Sequence, residues 1–194
     1  MSTIVVATSN PGKLKEFKDL FQEDKVLSLE DIGYHNEILE TGNTFEENAL
    51  IKAKQVSIDT GYVVLADDSG LEVDALGGAP GVYSARYSFE RTVEGNNKKL
   101  IQELSGILNR SAQFVCVLCL YFPNGRYISA RGVCKGSITY EPKGTNGFGY
   151  DPYFYLEEYQ KTMAELPLSI KNQISHRAIA KQKLLEKIHE DFSA

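Results

Sequence analysis

A mixed-sheet α/β or α+β domain is what this sequence predicts, and three observations predict it. Short apolar runs suited to buried strands alternate with stretches whose apolar residues recur every three or four positions. Helical stretches both separate and follow the strands, while one strong hairpin signal joins two of them, so the sheet mixes strand directions. With 194 residues, 42% of them hydrophobic and 24% charged, the chain can bury a substantial core. No Pro/Ser-rich linker, repeat or low-complexity tract divides it, and residues 1–194 read as a single domain.

The elements follow in order. Residues 4–7 form a short apolar run that suits a buried strand, and a turn at Asn10-Pro11-Gly12 leads into an amphipathic helix with Leu14, Phe17, Leu20 and Phe21 on one face. Thr44-Phe45-Glu46-Glu47 is a capping-box pattern: Thr44 can cap the amide of Glu47, and Glu47 can return the bond. The helix it opens extends to about residue 57. A second buried strand over 62–66 ends in Asp67-Asp68, and a helix over 97–108 brings Leu100, Ile101, Leu104 and Leu108 into register. Strands at 112–122 and 127–133 flank Pro123-Asn124-Gly125-Arg126, where Asn-Gly tolerates the positive φ of a tight turn. The last helix, 175–191, stacks Ile179, Ala180, Leu184 and Ile188 on its inner face.

Composition narrows the function. A net charge of −5 argues against a broad electrostatic footprint for nucleic acid or an anionic membrane. No apolar run approaches the roughly 18 residues that span a bilayer. The start runs directly into a strand without the regions of a signal peptide, so the cytoplasm is the expected compartment. Three cysteines do not suggest a disulfide framework; Cys116 and Cys119 stand three apart in an apolar strand, face opposite sides, and read as core residues. His35, His176 and His189 lack zinc-site spacing.

Five segments offer chemistry, each with a plainer alternative. Thr8-Ser9-Asn10-Pro11-Gly12-Lys13 joins a strand to a helix, where backbone N–H groups and the helix dipole suit a phosphate, or where a serine simply caps a turn. It is not a Walker A loop, because Ala7 and Leu14 stand where that motif needs Gly and Ser or Thr. Asp67 and Asp68 place two carboxylates together, suited to Mg²⁺ and a metal-bound water or to an Asx-turn. Glu40 lies outside the capping box and is available to a metal, whereas Glu46 and Lys52 read more readily as helix-surface charges. In Gly144-Thr145-Asn146-Gly147-Phe148-Gly149-Tyr150-Asp151, Phe148 or Tyr150 could stack on a planar base, or both could plug the core. Lys171-Asn172-Gln173-Ile174-Ser175-His176-Arg177 enters the final helix with Ser175 as N-cap; Arg177 there runs against the dipole, which hints at an anionic neighbour, although a solvated basic turn fits too.

Together the strings Thr8-Ser9-Asn10-Pro11-Gly12-Lys13, Glu40-Thr41-Gly42-Asn43-Thr44-Phe45-Glu46-Glu47-Asn48-Ala49, Ala66-Asp67-Asp68-Ser69-Gly70-Leu71, Gly77-Gly78-Ala79-Pro80-Gly81-Val82-Tyr83-Ser84-Ala85-Arg86-Tyr87, Gly147-Phe148-Gly149-Tyr150-Asp151-Pro152 and Ser175-His176-Arg177 occur in order. Over nearly its whole length the chain closely resembles the inosine/xanthosine triphosphate pyrophosphatases. The resemblance implies a two-lobed α/β fold around a long curved mixed β-sheet flanked by helices, with the active site in the cleft between lobes. It further implies a homodimer, a Mg²⁺ requirement, and hydrolysis of a purine nucleoside triphosphate to monophosphate and pyrophosphate. Carried over residue by residue, Thr8, Ser9, Asn10, Pro11, Gly12, Lys13 and Lys52 would hold the triphosphate. Glu40 and Asp68 would hold Mg²⁺, with Asp68 also the general base, and Ser69 would touch substrate. Phe148, Gly149, Tyr150, Asp151, Lys171, His176 and Arg177 would surround the base and read its 6-oxo edge. The chain has no Trp; Cys134 stands about where some relatives carry one, and Asn146 replaces a glycine of some members. A broader Mg²⁺-dependent nucleotide phosphatase and a non-catalytic nucleotide sensor are the alternative readings.

Overall fold

The helices that separate the early strands and the hairpin that joins two later ones produce one mixed sheet. The computed structural model describes residues 3–8, 10–21 and 24–193. Its elements are Thr3–Val6 (β1), Pro11–Leu20 (α1), Lys25–Ser28 (β2), Phe45–Thr60 (α2), Val63–Val73 (β3), Val93–Glu103 (α3), Ser111–Tyr121 (β4), Tyr127–Ile138 (β5), Phe154–Leu156 (β6), Lys161–Thr162 (β7), Leu168–Ile174 (α4) and His176–Ser193 (α5). The strand order is β2-β1-β3-β4-β5-β6-β7. β1 is parallel to β2 and β3, whereas β5, β6 and β7 pair antiparallel. The predicted class therefore holds. No helix among the described residues is long and apolar enough to cross a membrane.

Two compact units share the chain. One takes the described residues up to Asp68 with Val117–Arg131 and the chain from Lys181 on; the other takes Ser69–Cys116 and Gly132–Ala180. In the first, Val5, Val6, Phe17, Leu65, Leu118 and Leu184 are fully buried. In the second, Leu71, Leu100, Phe114, Ile138, Phe154 and Met163 belong to one core cluster. Cys116, Cys119 and Cys134 are buried and outside any disulfide among the described residues, as expected of core cysteines.

Several boundaries move for identifiable reasons. β3 does not stop before Asp67 but runs on to Val73, because Leu71 and Val73 supply further buried positions; both aspartates lie inside the strand rather than at its end. α3 spans Val93–Glu103, capped at its start by the Thr92 side chain. It stops there because Gly106 adopts φ +75°, so Leu108 is exposed instead of joining Leu100 and Leu104. The hairpin turn forms as read, with Gly125 at φ 89°. Lys171 sits on a separate helix, α4, and Ser175 bridges the two helices: its amide closes α4, while its Oγ accepts from Ala178 N in α5. On α1, the Leu20 side chain lies outside the described residues.

Two contacts hold the later strands in place. Gly132 on β5 abuts the first turn of α5 so closely that a Cβ would lie 2.0 Å from the His176 carbonyl oxygen and 2.3 Å from Ala180 N. Arg110, buried just before β4, donates to the carbonyls of Ile138 (2.6 Å), Thr139 (3.0 Å) and Leu104 (3.1 Å), with its guanidinium over the Tyr140 ring. Arg110→Met leaves those carbonyls without their charged donor. It should cost about 3 kcal/mol or more in urea unfolding; an unchanged midpoint would show that Arg110 does not hold this end of the fold.

Candidate active site

The acidic pair of β3 is resolved by lysines and an asparagine drawn from two helices. Adjacent buried carboxylates repel unless each finds a partner. Asp67, 2% exposed, accepts a hydrogen bond from Lys13 Nζ on α1 at 2.6 Å. Asp68, 8% exposed, accepts from Asn48 Nδ2 on α2 at 3.0 Å and lies 4.0 Å from Lys52 Nζ. Asn48 and Lys52 are four residues apart on α2 and so share a helix face. Lys52 Nζ also reaches Glu40 Oε1 at 2.5 Å. This is no surface lysine: its side chain is 14% exposed and sits among acids. The helix start is as read, with Thr44 Oγ1 accepting from Glu47 N while Glu47 Oε2 accepts from Thr44 N. Glu46 pairs with Arg131 instead, 2.9 Å away.

Three carboxylates, Glu40, Asp67 and Asp68, thus face two ammonium groups, and the group carries one negative charge in excess. Burial pushes the Asp68 carboxyl up to about 6 against the pull of Lys52 and Asn48, and Glu40 and Asp67 push the same way. Burial also works against the Lys52 ammonium, but Asp67, Asp68 and Glu40 outweigh it and hold its pKa above the ordinary lysine value. Among the described residues no group of three or more His, Cys, Asp or Glu forms a protein cage for a metal. Mg²⁺ needs none, since it binds through one or two carboxylates plus substrate oxygens and retains waters. An all-oxygen, net-negative pair such as Glu40 and Asp68 fits that ion.

The loop entering α1 differs from an open cradle. Asn10, not a serine, is the N-cap: its Oδ1 accepts from Gly12 N at 2.9 Å and Lys13 N at 3.2 Å, with Pro11 at the first helical position. Thr8 Oγ1 accepts from Asn10 N at 3.2 Å. The amides expected to be free are therefore occupied by the loop's own side chains, which give the turn its shape. Ser9 lies outside the described residues, as does the Pro11 side chain.

The second unit gathers the glycine loop and the basic segment. Asp151 Oδ2 accepts from Lys171 Nζ at 2.6 Å and from Phe148 N at 3.3 Å. Gly147, at φ +108°, is required there because a Cβ would lie 2.1 Å from Asp151 Oδ2. Of the two aromatics offered as stacking partners, Phe148 is 64% exposed, but Tyr150 is 6% exposed, belongs to the core and donates its OH to the Ser84 carbonyl at 2.7 Å. Only the Phe148 ring is presented. His176 opens α5 and stacks on Phe114, 5.0 Å between ring centroids, with Arg177 beside it in sequence and half-buried. Ser69 is half-buried on β3 and Gly149 lies in the loop at φ 62°. Asn146 ties the loop to a neighbouring turn, its N donating to the Ala164 carbonyl at 2.8 Å.

Sequence reasoning quoted Asn48 within a motif but assigned it no part. It is fully buried, and its Oδ1 also accepts from Gly42 N at 2.8 Å. The signal available was its spacing: one helical turn before Lys52, with four-residue periodicity on an otherwise mixed face.

Comparison with known proteins covers almost the entire chain. The Ham1 family model matches residues 4–187. A dITP/XTP pyrophosphatase of Bacillus licheniformis is 52% identical over 189 residues, covering 95% of this chain and 96% of that one. A dITP/XTP pyrophosphatase of Bacillus anthracis is 49% identical over 199 residues, covering 99% and 98%. The structure of the Staphylococcus aureus Ham1 protein superposes with a TM-score of 0.93 at 41% identity, covering 97% of this chain and 99% of that one.

Proposed function

The chain belongs to the Ham1 family, and on that premise we propose that it hydrolyses the non-standard purine nucleoside triphosphates ITP, dITP and XTP to their monophosphates and pyrophosphate. It is a nucleoside triphosphate pyrophosphatase, a hydrolase that removes deaminated purines from the nucleotide pool. The observation that carries this reading is the pairing of buried Asp67 and Asp68, together with half-buried Glu40, with Lys13 and Lys52.

The residues divide the work by chemistry. Lys13 and Lys52, with the loop Thr8, Ser9, Asn10, Pro11 and Gly12, take the triphosphate and offset its charge, an electrostatic stabilisation of the transition state. Asp68 accepts a proton from the attacking water as its oxygen bonds to phosphorus. The bond to the leaving pyrophosphate breaks in line, so no serine or cysteine nucleophile is needed. Glu40 and Asp68 would hold Mg²⁺, which when bound withdraws charge from the phosphate oxygens. Ser69 contacts substrate. Lys171, Asp151, His176 and Arg177 read the base edge, Phe148 covers its face, and Gly149 and Tyr150 shape the loop that carries that ring. A polar site built for a 6-oxo purine rejects the 6-amino pattern of ATP by roughly 10⁴-fold, because a mismatched edge leaves buried groups unpaired. The proposal takes 1–194 as one catalytic domain working in the cytoplasm, and as a homodimer, as the resemblance implies.

A nucleotide panel tests this. ITP, dITP and XTP should release pyrophosphate much faster than ATP, GTP, CTP or UTP, and a chelator should reduce release to background until Mg²⁺ is returned. Orthophosphate as product, or equal rates on the standard nucleotides, would overturn the reading; undiminished activity in chelator would remove the metal.

A further inference from the structure

Asn97 belongs to no motif that marks the site, yet it holds the backbone of the loop on which Phe148 is carried. It stands on α3 and is 8% exposed. Its Nδ2 donates to the Gly149 carbonyl at 2.9 Å, while its buried Oδ1 has no hydrogen-bond partner among the described residues. A buried acceptor left unpaired is costly, and a leucine of similar size would avoid that cost. The one bond the amide makes is therefore what the position offers in return. The assignment of donor and acceptor is forced, because a flipped amide would set its oxygen against the Gly149 oxygen.

The neighbourhood shows what that bond controls. Gly149 lies directly between exposed Phe148 and buried Tyr150, at φ +62°. Three side-chain anchors hold this stretch: the Asp151 carboxylate on Phe148 N, the Tyr150 OH on the Ser84 carbonyl, and Asn97 on the Gly149 carbonyl. The adjacent Asn96 fastens the opposite end of the second anchor, its Nδ2 donating to the carbonyls of Ser84 (3.3 Å) and Ala85 (3.2 Å) and its Oδ1 accepting from Ser88 N (2.7 Å). Of the three, only Asn97 grips the Gly149–Tyr150 peptide, one residue beyond Phe148, whose own carbonyl accepts from Asp151 N at 3.2 Å. Without it the Gly149 carbonyl is free to rotate, since a glycine peptide meets little steric resistance.

We infer that Asn97 is a positioning residue for base selectivity: by fixing the Gly149 carbonyl it sets the Phe148 ring against the purine. The inference rests on the proposed reading of Phe148 as a base contact. Because Asn97 is not part of the acidic and lysine group, its loss acts on substrate capture and discrimination rather than on the chemical step.

The test compares Asn97→Leu, Asn97→Asp and Phe148→Ala in steady-state kinetics on ITP and GTP, with thermal melts of each. Both Asn97 variants lose the donor; they should raise KM for ITP by about three- to tenfold, as expected for one lost hydrogen bond, with kcat changed less than about twofold, and lower the ITP-to-GTP ratio of kcat/KM. Asn97→Leu should do so without a lower Tm, because it removes the unpaired oxygen, a result that a purely structural role does not give. If Phe148→Ala shifts KM and the ratio while neither Asn97 variant does, the positioning role is wrong and the base contact stands. If Phe148→Ala shifts neither, the base contact falls and the inference with it.

Discussion

Asp68→Asn should abolish turnover while leaving the fold and most nucleotide binding intact. Loss of a positioned general base costs about 10²–10⁴-fold in rate, and kcat for pyrophosphate release from ITP reads it directly. Binding measured without turnover should stay within about tenfold, because Lys13 and Lys52 remain. The Tm should not fall. Asparagine at 68 retains an oxygen to accept from Asn48 Nδ2, and it removes a carboxylate that burial pushes up to about 6. The substitution thus relieves a cost the wild type carries for its chemistry. Near-normal hydrolysis would reassign the base; a Tm several degrees lower would show that the charge of Asp68 supports the fold.

Lys52→Met should be the most destabilising single change in the acidic group. The ammonium lies 2.5 Å from Glu40 and 4.0 Å from Asp68, and Asp67 also acts on it. Replacing it with an apolar side chain of similar length leaves three carboxylates to share Lys13. Breaking a fully buried pair costs about 3–5 kcal/mol, because the remaining charge is uncompensated; with Glu40 half-buried, the cost here should fall at or below the low end of that range. Urea midpoints should drop accordingly, and millimolar Mg²⁺ should recover a larger part of the loss than it adds to the wild type, since a bound cation supplies the missing charge. An unchanged midpoint would mean that Lys52 is dispensable to the carboxylates. A drop that Mg²⁺ does not touch would argue against Glu40 and Asp68 as its ligands.

Local sequence carried the long elements well. Thr44 and Glu47 form the reciprocal cap that their spacing announces, and Asn124-Gly125 turns the hairpin. β2, β6, β7 and α4 escaped because four, three, two and seven residues are too few to express a period. At the site, the sequence motifs named Lys13, Lys52 and Asp68 as ligand or metal residues, but their mutual pairing was not legible. A lysine reads the same whether it faces water or a carboxylate 54 positions away, which is the separation of Lys13 from Asp67.

The sequence by itself determined the class of sheet, the Thr44–Glu47 cap, the Asn124-Gly125 turn and the family, because strand and helix periods, capping chemistry and ordered motifs are local or additive along the chain. Tertiary structure alone decided that Tyr150 belongs to the core while Phe148 faces out, that Asp67 and Asp68 each take a different lysine, that Gly132 must stay bare beneath α5, and that Asn97 reaches Gly149. Each of these depends on which segments meet at a few ångströms after the sheet has formed, and burial and pairing at that distance are properties of neighbours in space.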